Sequence, residues 1–166
     1  MKKRFVVLAA GLGFSNNSLA TELVFENLQI KVLPPDNCTF TKERTNNVEV
    51  YKGTCSAPDV ILLYQNGSYP FLAASIKKIK DKPPRTLQNL EVGELLTNSF
   101  SDGRESQMIS FSGEDKTGRL LKNAMYLLSS ADKKHGVMVS VFGGKPEDNH
   151  QLNDLFQQAA LFKKAK

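Results

Sequence analysis

The first twenty residues decide the chemical setting in which the rest of the chain folds. Three basic residues at positions 2–4 precede an apolar run over residues 5–14, and Ser18 and Ala20 supply small side chains at its end. This order is typical of a secretory signal peptide that is cleaved after Ala20. The sequence therefore predicts export into an oxidising compartment, most simply a bacterial periplasm.

The apolar run is too short for the alternative of a membrane anchor. A helix needs roughly 20 apolar residues to cross a bilayer, and no longer apolar run follows in the sequence. Position 21 holds threonine, whereas a lipid-anchored protein would need cysteine there. We therefore expect residues 1–20 to be a cleaved signal peptide and the mature protein not to span a membrane.

Residues 21–166 have the length of one compact domain. The whole chain has 22 Lys and Arg against 17 Asp and Glu, but three of the basic residues lie in the signal segment. A nucleic-acid-binding domain keeps a concentrated basic face in its mature form. Nucleic acid is therefore not an expected partner.

The two cysteines, Cys38 and Cys55, are predicted to form a disulfide. Asn46 and Asn47 lie midway between them and indicate a turn between two strands. Closing a loop of this length stabilises a fold by about 3 kcal/mol in the chain-entropy account. A redox-active pair is the alternative, but the Cys-x-x-Cys spacing of such pairs is absent.

Alternating apolar residues and turn signals predict mainly antiparallel strands. Asn66-Gly67 is a strong hairpin signal between two of them. The expected strands cover residues 23–33, 48–51, 60–65, 69–79, 107–112, 119–128 and 136–142.

Two helices are predicted to flank this sheet. Thr86 could cap a helix over residues 86–99, which contains Leu87, Leu90, Leu95 and Leu96. A closing helix over 149–163 is indicated by the spacing of Leu152, Leu155, Phe156 and Ala159, with Asp148 or Asn149 as its cap. Lys163, Lys164 and Lys166 would then lie near the negative end of its dipole. The predicted fold class is α+β, a single domain with one disulfide.

Three short motifs together resemble those of serine β-lactamases and penicillin-binding proteins: Ser75-Ile76-Lys77-Lys78, Ser101-Asp102-Gly103 and Lys116-Thr117-Gly118. In the predicted strand, however, Ser75 and Lys78 would point to opposite faces. His135 and His150 are not part of any metal-binding or catalytic pattern. We expect no enzyme activity, no catalytic residues, no metal and no cofactor.

One basic segment is a candidate partner-binding site. An acidic protein or an anionic head group would fit it, although lysines also guard sheet edges against unwanted pairing. The segment comprises Lys77, Lys78, Lys80, Lys82 and Arg85.

The order of predicted elements resembles the Mog1/PsbP-like α+β sandwich over most of residues 23–163. A strand ending in Leu33-Pro34 opens the domain; a hairpin, a helix introduced by Thr86-Leu87, three strands and a helix with Leu155, Phe156 and Phe162 follow. The resemblance implies a non-enzymatic scaffold that acts by binding. Its exported bacterial examples include accessory proteins of secretion systems.

These features predict an exported protein-binding module, most concretely an immunity protein or inhibitor that occludes a toxin or cell-wall hydrolase. The alternative is a periplasmic carrier or sensor of a small apolar or lipid ligand, which would need a cavity between sheet and helices. A hydrolase built on Ser75 and Lys78 is the third hypothesis. The sequence leaves the oligomeric state open.

Overall fold

The computed structural model of the chain describes residues 22–45, 47–79, 81–82, 84 and 86–165. The predicted signal peptide lies outside the described residues. The described elements, in chain order, are β1 (Leu23–Phe25), β2 (Ile30–Val32), β3 (Cys38–Thr45), β4 (Val48–Ser56), β5 (Asp59–Ser68), α1 (Tyr69–Lys77), β6 (Gln88–Val92), β7 (Leu96–Ser99), β8 (Glu105–Glu114), β9 (Leu120–Ser129), β10 (His135–Gly144), α2 (Asn149–Ala159) and β11 (Lys163–Lys164).

An antiparallel sheet of eight strands organises the domain. Its order is β3-β4-β5-β10-β9-β8-β6, and β7 pairs with the other half of β8. A smaller sheet combines β1, β2 and β11. The predicted α+β class, with an antiparallel sheet and two helices, is confirmed.

Successive side chains of a strand point to opposite faces of a sheet, and both faces of the larger sheet carry buried apolar residues. On the α2 face, α2 and the β1–β2 hairpin pack against Leu62, Tyr64 and Val139. On the α1 face, α1 packs against Leu127 and Met138. Each face therefore has its own apolar core.

The three consecutive strands predicted in the second half of the chain are confirmed as β8, β9 and β10. Helix α2 buries the predicted stripe of Leu152, Leu155, Phe156 and Ala159. It ends four residues earlier than predicted, because the chain turns at Ala160 and Phe162 then stacks on Tyr126 with ring centroids 6.0 Å apart.

The predicted positions of Lys163 and Lys164 are wrong, and Lys166 lies outside the described residues. Lys163 and Lys164 form β11 and pair with Lys31 and Ile30 of β2. They therefore extend the small sheet instead of facing the end of the α2 dipole. Asp148 occupies the N-cap position, but its side chain makes no capping hydrogen bond.

The predicted hairpin at Asn66-Gly67 is wrong. Both residues lie inside β5, opposite Val137 and Gly136 of β10. The predicted strand over 69–79 is helix α1, which begins with Pro70 in its first turn, where proline is tolerated. Its buried residues Tyr69, Leu72, Ala73 and Ile76 have helical spacing, a signal that the turn-forming dipeptide obscured.

The predicted helix over residues 86–99 is also wrong, because this segment forms strands β6 and β7. Leu90 and Val92 alternate with polar residues and pack against the core of the α1 face. β8 offers these residues an edge to pair with, and tertiary pairing outweighs the local preference of leucine for helices.

The predicted opening strand is divided in two. A short 3₁₀ turn at Glu26–Leu28, followed by Gln29 with φ 53°, folds β2 back on β1. The hairpin places Phe25, Ile30 and Val32 on the α2 face of the larger sheet, where each is at most 2% exposed.

The predicted disulfide is confirmed. Cys38 and Cys55 are direct cross-strand partners on β3 and β4, with Cα atoms 4.0 Å apart. Only two residues connect Thr45 to Val48, and Asn47 has φ 62°, a backbone conformation that asparagine tolerates. The disulfide therefore closes the end of this hairpin opposite its turn.

Candidate functional site

A row of aligned side chains on the α2 face runs from the core to the surface. Tyr64, Val139, Tyr126, Met108 and Leu96 are successive cross-strand partners on β5, β10, β9, β8 and β7. Tyr64 and Val139 are fully buried, Tyr126 and Met108 are half-buried, and Leu96 is 55% exposed. The apolar face of the sheet thus continues beyond the elements that cover it.

The position of α2 explains why this end is uncovered. The Tyr64 hydroxyl donates a 3.0 Å hydrogen bond to the Ala159 carbonyl at the end of the helix. Near its start, Leu152 packs so closely on Gly144 that a Cβ there would overlap the Leu152 side chain. The helix is therefore held over β5 and β10, and β7 and part of β8 remain open.

An aromatic ring and a guanidinium group extend this apolar end. Phe100 follows β7 and is 43% exposed, and the Arg104 guanidinium lies over its ring at 5.8 Å. Arg104 also pairs with Asp102, with nitrogen and oxygen 2.7 Å apart. We call the group of Leu96, Phe100, Arg104 and Met108 the β7 surface.

A polar network lies across the sheet from the β7 surface, at the start of β8. The Tyr69 hydroxyl donates to Glu105 Oε1, and Gln107 Nε2 donates to the same oxygen at 3.1 Å. Lys133 Nζ lies 2.9 Å from Glu105 Oε2, and the Glu105 amide donates to Ser129 Oγ at 2.7 Å. The network joins α1, β8 and the β9–β10 turn.

This network sets the ionisation of its members. The hydrogen bond from Tyr69, followed by those from Lys133 and Gln107, lowers the pKa of Glu105 to about 2. Burial, and then the neighbouring Glu105, raises the pKa of Tyr69 above its ordinary value. At neutral pH the carboxylate is therefore charged and the phenol remains a donor, an arrangement suited to holding the turn in place.

We expect Glu105→Gln to lower the free energy of unfolding by about 2 kcal/mol at pH 7, because it removes charge-assisted hydrogen bonds. A carboxyl whose folded-state pKa is lowered stabilises the fold above its unfolded-state pKa, and this contribution is lost as the pH falls. For Glu105 the loss runs from pH 4.5 towards about 2. Urea unfolding followed at several pH values measures it.

The matched control is Glu43→Gln, because Glu43 is exposed on β3. The stability difference between wild type and Glu105→Gln should shrink with acid, whereas the control should track the wild type. Equal stability of both variants at pH 7 would contradict the stabilising role of the network.

A charged cleft of about 600 Å³ lies where the β1–β2 hairpin meets the β9–β10 turn. Its walls mix acidic and basic groups, including Glu26, Asp102, Arg104, Asp132, His135 and Lys164. The second histidine, His150, lies on α2, 2.9 Å from Asp154. No three His, Cys, Asp or Glu residues are grouped to hold a metal ion within the part of the chain that the structure describes.

The predicted basic site is only partly described. Lys77, at the end of α1, and Lys78 and Lys82, which follow it, are exposed. Lys80 and Arg85 lie outside the described residues. Because α1 packs on the α1 face, these lysines and the β7 surface lie on opposite sides of the sheet.

The prediction that Ser75 lies in a strand, with Lys78 on the opposite face, is wrong, because Ser75 lies in α1. Ser75 and Lys78 are therefore one helical turn apart. The Ser75 hydroxyl donates to the Phe71 carbonyl at 3.0 Å and lies near the end of the helix, away from the positive pole of its dipole.

Comparison with solved structures identifies proteins that share this fold. The chain matches the crystal structure of the Saccharomyces cerevisiae Ran-binding protein Mog1p with a TM-score of 0.53 and 11% identity, over 88% of this chain and 95% of that one. A mutant of protein Mog1 matches with a TM-score of 0.51 and 10% identity, over 88% and 96% of the two chains. The chain has the Mog1 fold.

The predicted resemblance is thus confirmed for the fold. No protein-family model and no curated protein matches the sequence. Among the described residues, no helix combines the length and apolar character needed to cross a membrane.

Sequence reasoning missed the β7 surface because it assigned Leu96 to a helix. The only local signal was that Leu96 and Phe100 lie four positions apart and so share one face of a strand, but the same spacing also fits one face of a helix. Nothing in that pattern distinguishes an apolar residue that the fold covers from one that it leaves exposed.

Proposed function

We propose that the chain is an exported protein-binding module, an immunity protein or inhibitor that occludes a toxin or cell-wall hydrolase, and that it acts by binding and not by catalysis. The observation that carries the proposal is the β7 surface, where a row of apolar side chains leaves the core and ends with Leu96 at 55% exposure.

The composition of this surface favours a protein partner. Interface residues that contribute most to binding are often aromatic or arginine side chains at the centre of an apolar patch. Phe100 with Arg104 over its ring supplies such a pair, next to the apolar Leu96 and Met108. The carboxylate of Asp102, which pairs with Arg104, would lie at the rim and help to orient the partner.

The fold gives independent support. The matched yeast structure is described as a Ran-binding protein, so this architecture can present a protein-binding surface. The N-terminal sequence favours a partner outside the cytoplasm, because the predicted signal peptide would direct this chain to that compartment.

The basic segment around Lys77, Lys78 and Lys82 is proposed as a second contact, for acidic groups of the partner. It lies on the opposite side of the sheet from the β7 surface. One rigid partner would therefore contact both only by reaching around an edge, and variants of the two surfaces can be tested separately.

Native mass spectrometry of the protein isolated from its own periplasm tests the proposal. We expect a partner protein at fixed stoichiometry, and we expect Leu96→Asp to lose it, with binding weakened by about 30-fold or more. Leu33→Asp is the matched control, because Leu33 is 50% exposed and directly follows β2, outside the β7 surface.

The isolated partner should also be assayed as a hydrolase or toxin. Inhibition by the wild type and by Leu33→Asp, but not by Leu96→Asp, would support occlusion. A partner that binds all three proteins equally, or whose activity the wild type leaves unchanged, would overturn the proposal. Loss of the partner only in Lys77→Glu/Lys78→Glu would transfer the site to the basic segment.

The second candidate function is a carrier of a small apolar ligand. It is favoured by one observation, a cleft of about 410 Å³ between α2 and the sheet. This volume lies within the range of small-molecule sites.

A further inference from the structure

The cleft beside α2 follows from the sizes of the side chains on its floor. Ser110, Ala124 and Val141 form one cross-strand row on β8, β9 and β10. The neighbouring rows place the longer side chains of Met108 and Lys122 on either side of this row. Small residues between longer ones leave a depression in the sheet, which α2 borders without filling.

Half of the residues that line the cleft are apolar, and the other half are polar. Leu152 and Phe156 project from α2, and Met108, Ala124 and Val141 lie on the sheet. An apolar chain placed here would exchange water for carbon contacts on two sides, a favourable transfer that scales with the area buried.

One charge faces the cleft. Lys122 is half-buried and, among the described residues, is the only ionisable side chain that lines it. None of the described carboxylates lies within 4.0 Å of its amine, although six other lysine or arginine side chains of the described residues have such a partner. Burying part of an unpaired charge is unfavourable, so an anion at this position would gain a charge-assisted contact.

Neutral donors lie near the same end of the cleft. Asn149 and Asn153, one turn apart on α2, line it together with Lys122. Asn149 is the first residue of an 11-residue helix, so the positive end of the helix dipole lies at this side. The acidic Glu147 and Asp148 precede the helix and do not line the cleft.

A second cleft of about 380 Å³ continues across β8 towards β6 and shares Ser110 and Lys122 with the first. Glu91 lines this second part, with Ser112 between Glu91 and Lys122 in the sheet. The carboxylate of Glu91 disfavours an anion on that side. An apolar chain with an anionic head group would therefore bind with the head group at Lys122 and the apolar tail towards Phe156.

We propose that the cleft between α2 and strands β8 and β9 binds a free, medium-length acyl carboxylate, with its head group at Lys122. The proposal deepens the carrier function and rests on it, but it does not depend on the protein-binding function of the β7 surface. A free acid fits better than a membrane lipid, which has two acyl chains, because the whole cleft has a volume of about 410 Å³.

Isothermal titration calorimetry with decanoate, at concentrations at which it remains monomeric, tests the site in the mature protein. We expect saturable 1:1 binding, with decanol and decylamine bound at least tenfold more weakly because neither has an anionic group. Lys122→Met, which keeps the apolar stem, should weaken decanoate binding by about tenfold or more. Lys116→Met is the matched control, because Lys116 is exposed in the turn of the same hairpin.

Ala124→Leu tests the apolar part separately. Ala124 is half-buried, and the added carbons would occupy the cleft, so we expect decanoate binding to be lost with the thermal unfolding midpoint retained. A decanoate affinity equal in wild type and Lys122→Met, or equal affinities for decanoate and decylamine, would overturn the proposal.

Two further outcomes are also decisive. Absence of saturable decanoate binding to the wild type would overturn the proposal. Co-sedimentation with phosphatidylglycerol vesicles that free decanoate does not displace would replace it with a lipid-surface site. Neither outcome affects the protein-binding proposal, whose test is the Leu96→Asp variant.

Discussion

Replacing Phe25 with alanine should lower the free energy of unfolding by about 3–5 kcal/mol, the usual cost of removing a buried phenylalanine. Phe25 is fully buried, and its ring centroid lies 6.0 Å from that of Tyr51 and 6.3 Å from that of Tyr64. It connects the β1–β2 hairpin to the α2 face, so its loss leaves a cavity and frees the hairpin.

Val24→Ala is the control for this prediction, because Val24 precedes Phe25 on β1 and is 47% exposed. Its effect should remain within about 0.5 kcal/mol. Urea unfolding followed by circular dichroism measures both variants. A loss for Phe25→Ala no larger than that for Val24→Ala would mean that the hairpin contributes little to the stability of the domain.

Loss of the disulfide should have the second largest effect. The free energy of unfolding of the double variant Cys38→Ser/Cys55→Ser should be about 3 kcal/mol lower than that of the oxidised wild type. Without the disulfide, the unfolded chain has more conformational entropy. The sequence separation of 17 residues sets this magnitude. The measurement is urea unfolding with and without a reductant.

The neighbouring cross-strand pair supplies the control. Thr39 and Thr54 are exposed partners next to the disulfide, and Thr39→Ser/Thr54→Ser should change stability by less than about 1 kcal/mol. Reductant should destabilise this control and the wild type equally and leave the cysteine variant unchanged. A wild type insensitive to reductant would contradict the prediction.

The parts of the fold predicted correctly are those whose pattern is local and agrees with their tertiary surroundings. Leu152, Leu155, Phe156 and Ala159 have one spacing, and that spacing meets one apolar face. The three strands β8 to β10 also combine alternation with clear turns. In these segments propensity, periodicity and packing favour the same structure.

The wrong predictions arose where a local signal competed with a second local signal or with tertiary pairing. Asn66-Gly67 favours a hairpin, yet its backbone pairs within a long central strand, and the helical spacing from Tyr69 to Ile76 decides the following segment. Residues 86–99 contain good helix formers, but the free edge of β8 pairs with them. Such pairing involves residues distant in sequence, which a local window does not include.

The candidate sites also depend on contacts between residues that are distant in sequence. Lys122 and Phe156 are 34 positions apart in the sequence, and only the docking of α2 on β5 and β10 makes them walls of one cleft. Nothing in the sequence distinguishes Leu96 from other apolar residues. It is exposed because α2 covers β5 and β10 but does not extend over β7.

The sequence by itself determined the α+β class, the Cys38–Cys55 pairing, the apolar stripe of α2 and the resemblance to the Mog1 fold. The class and the stripe depend on residue types at short, regular spacings, which act through local backbone geometry. The disulfide depends on the chain having only two cysteines, and the resemblance depends on the order of elements along the chain. Tertiary structure alone decided the strand order, the β7 surface and the cleft at Lys122. These depend on which apolar faces cover one another, a choice made by the burial of the whole chain.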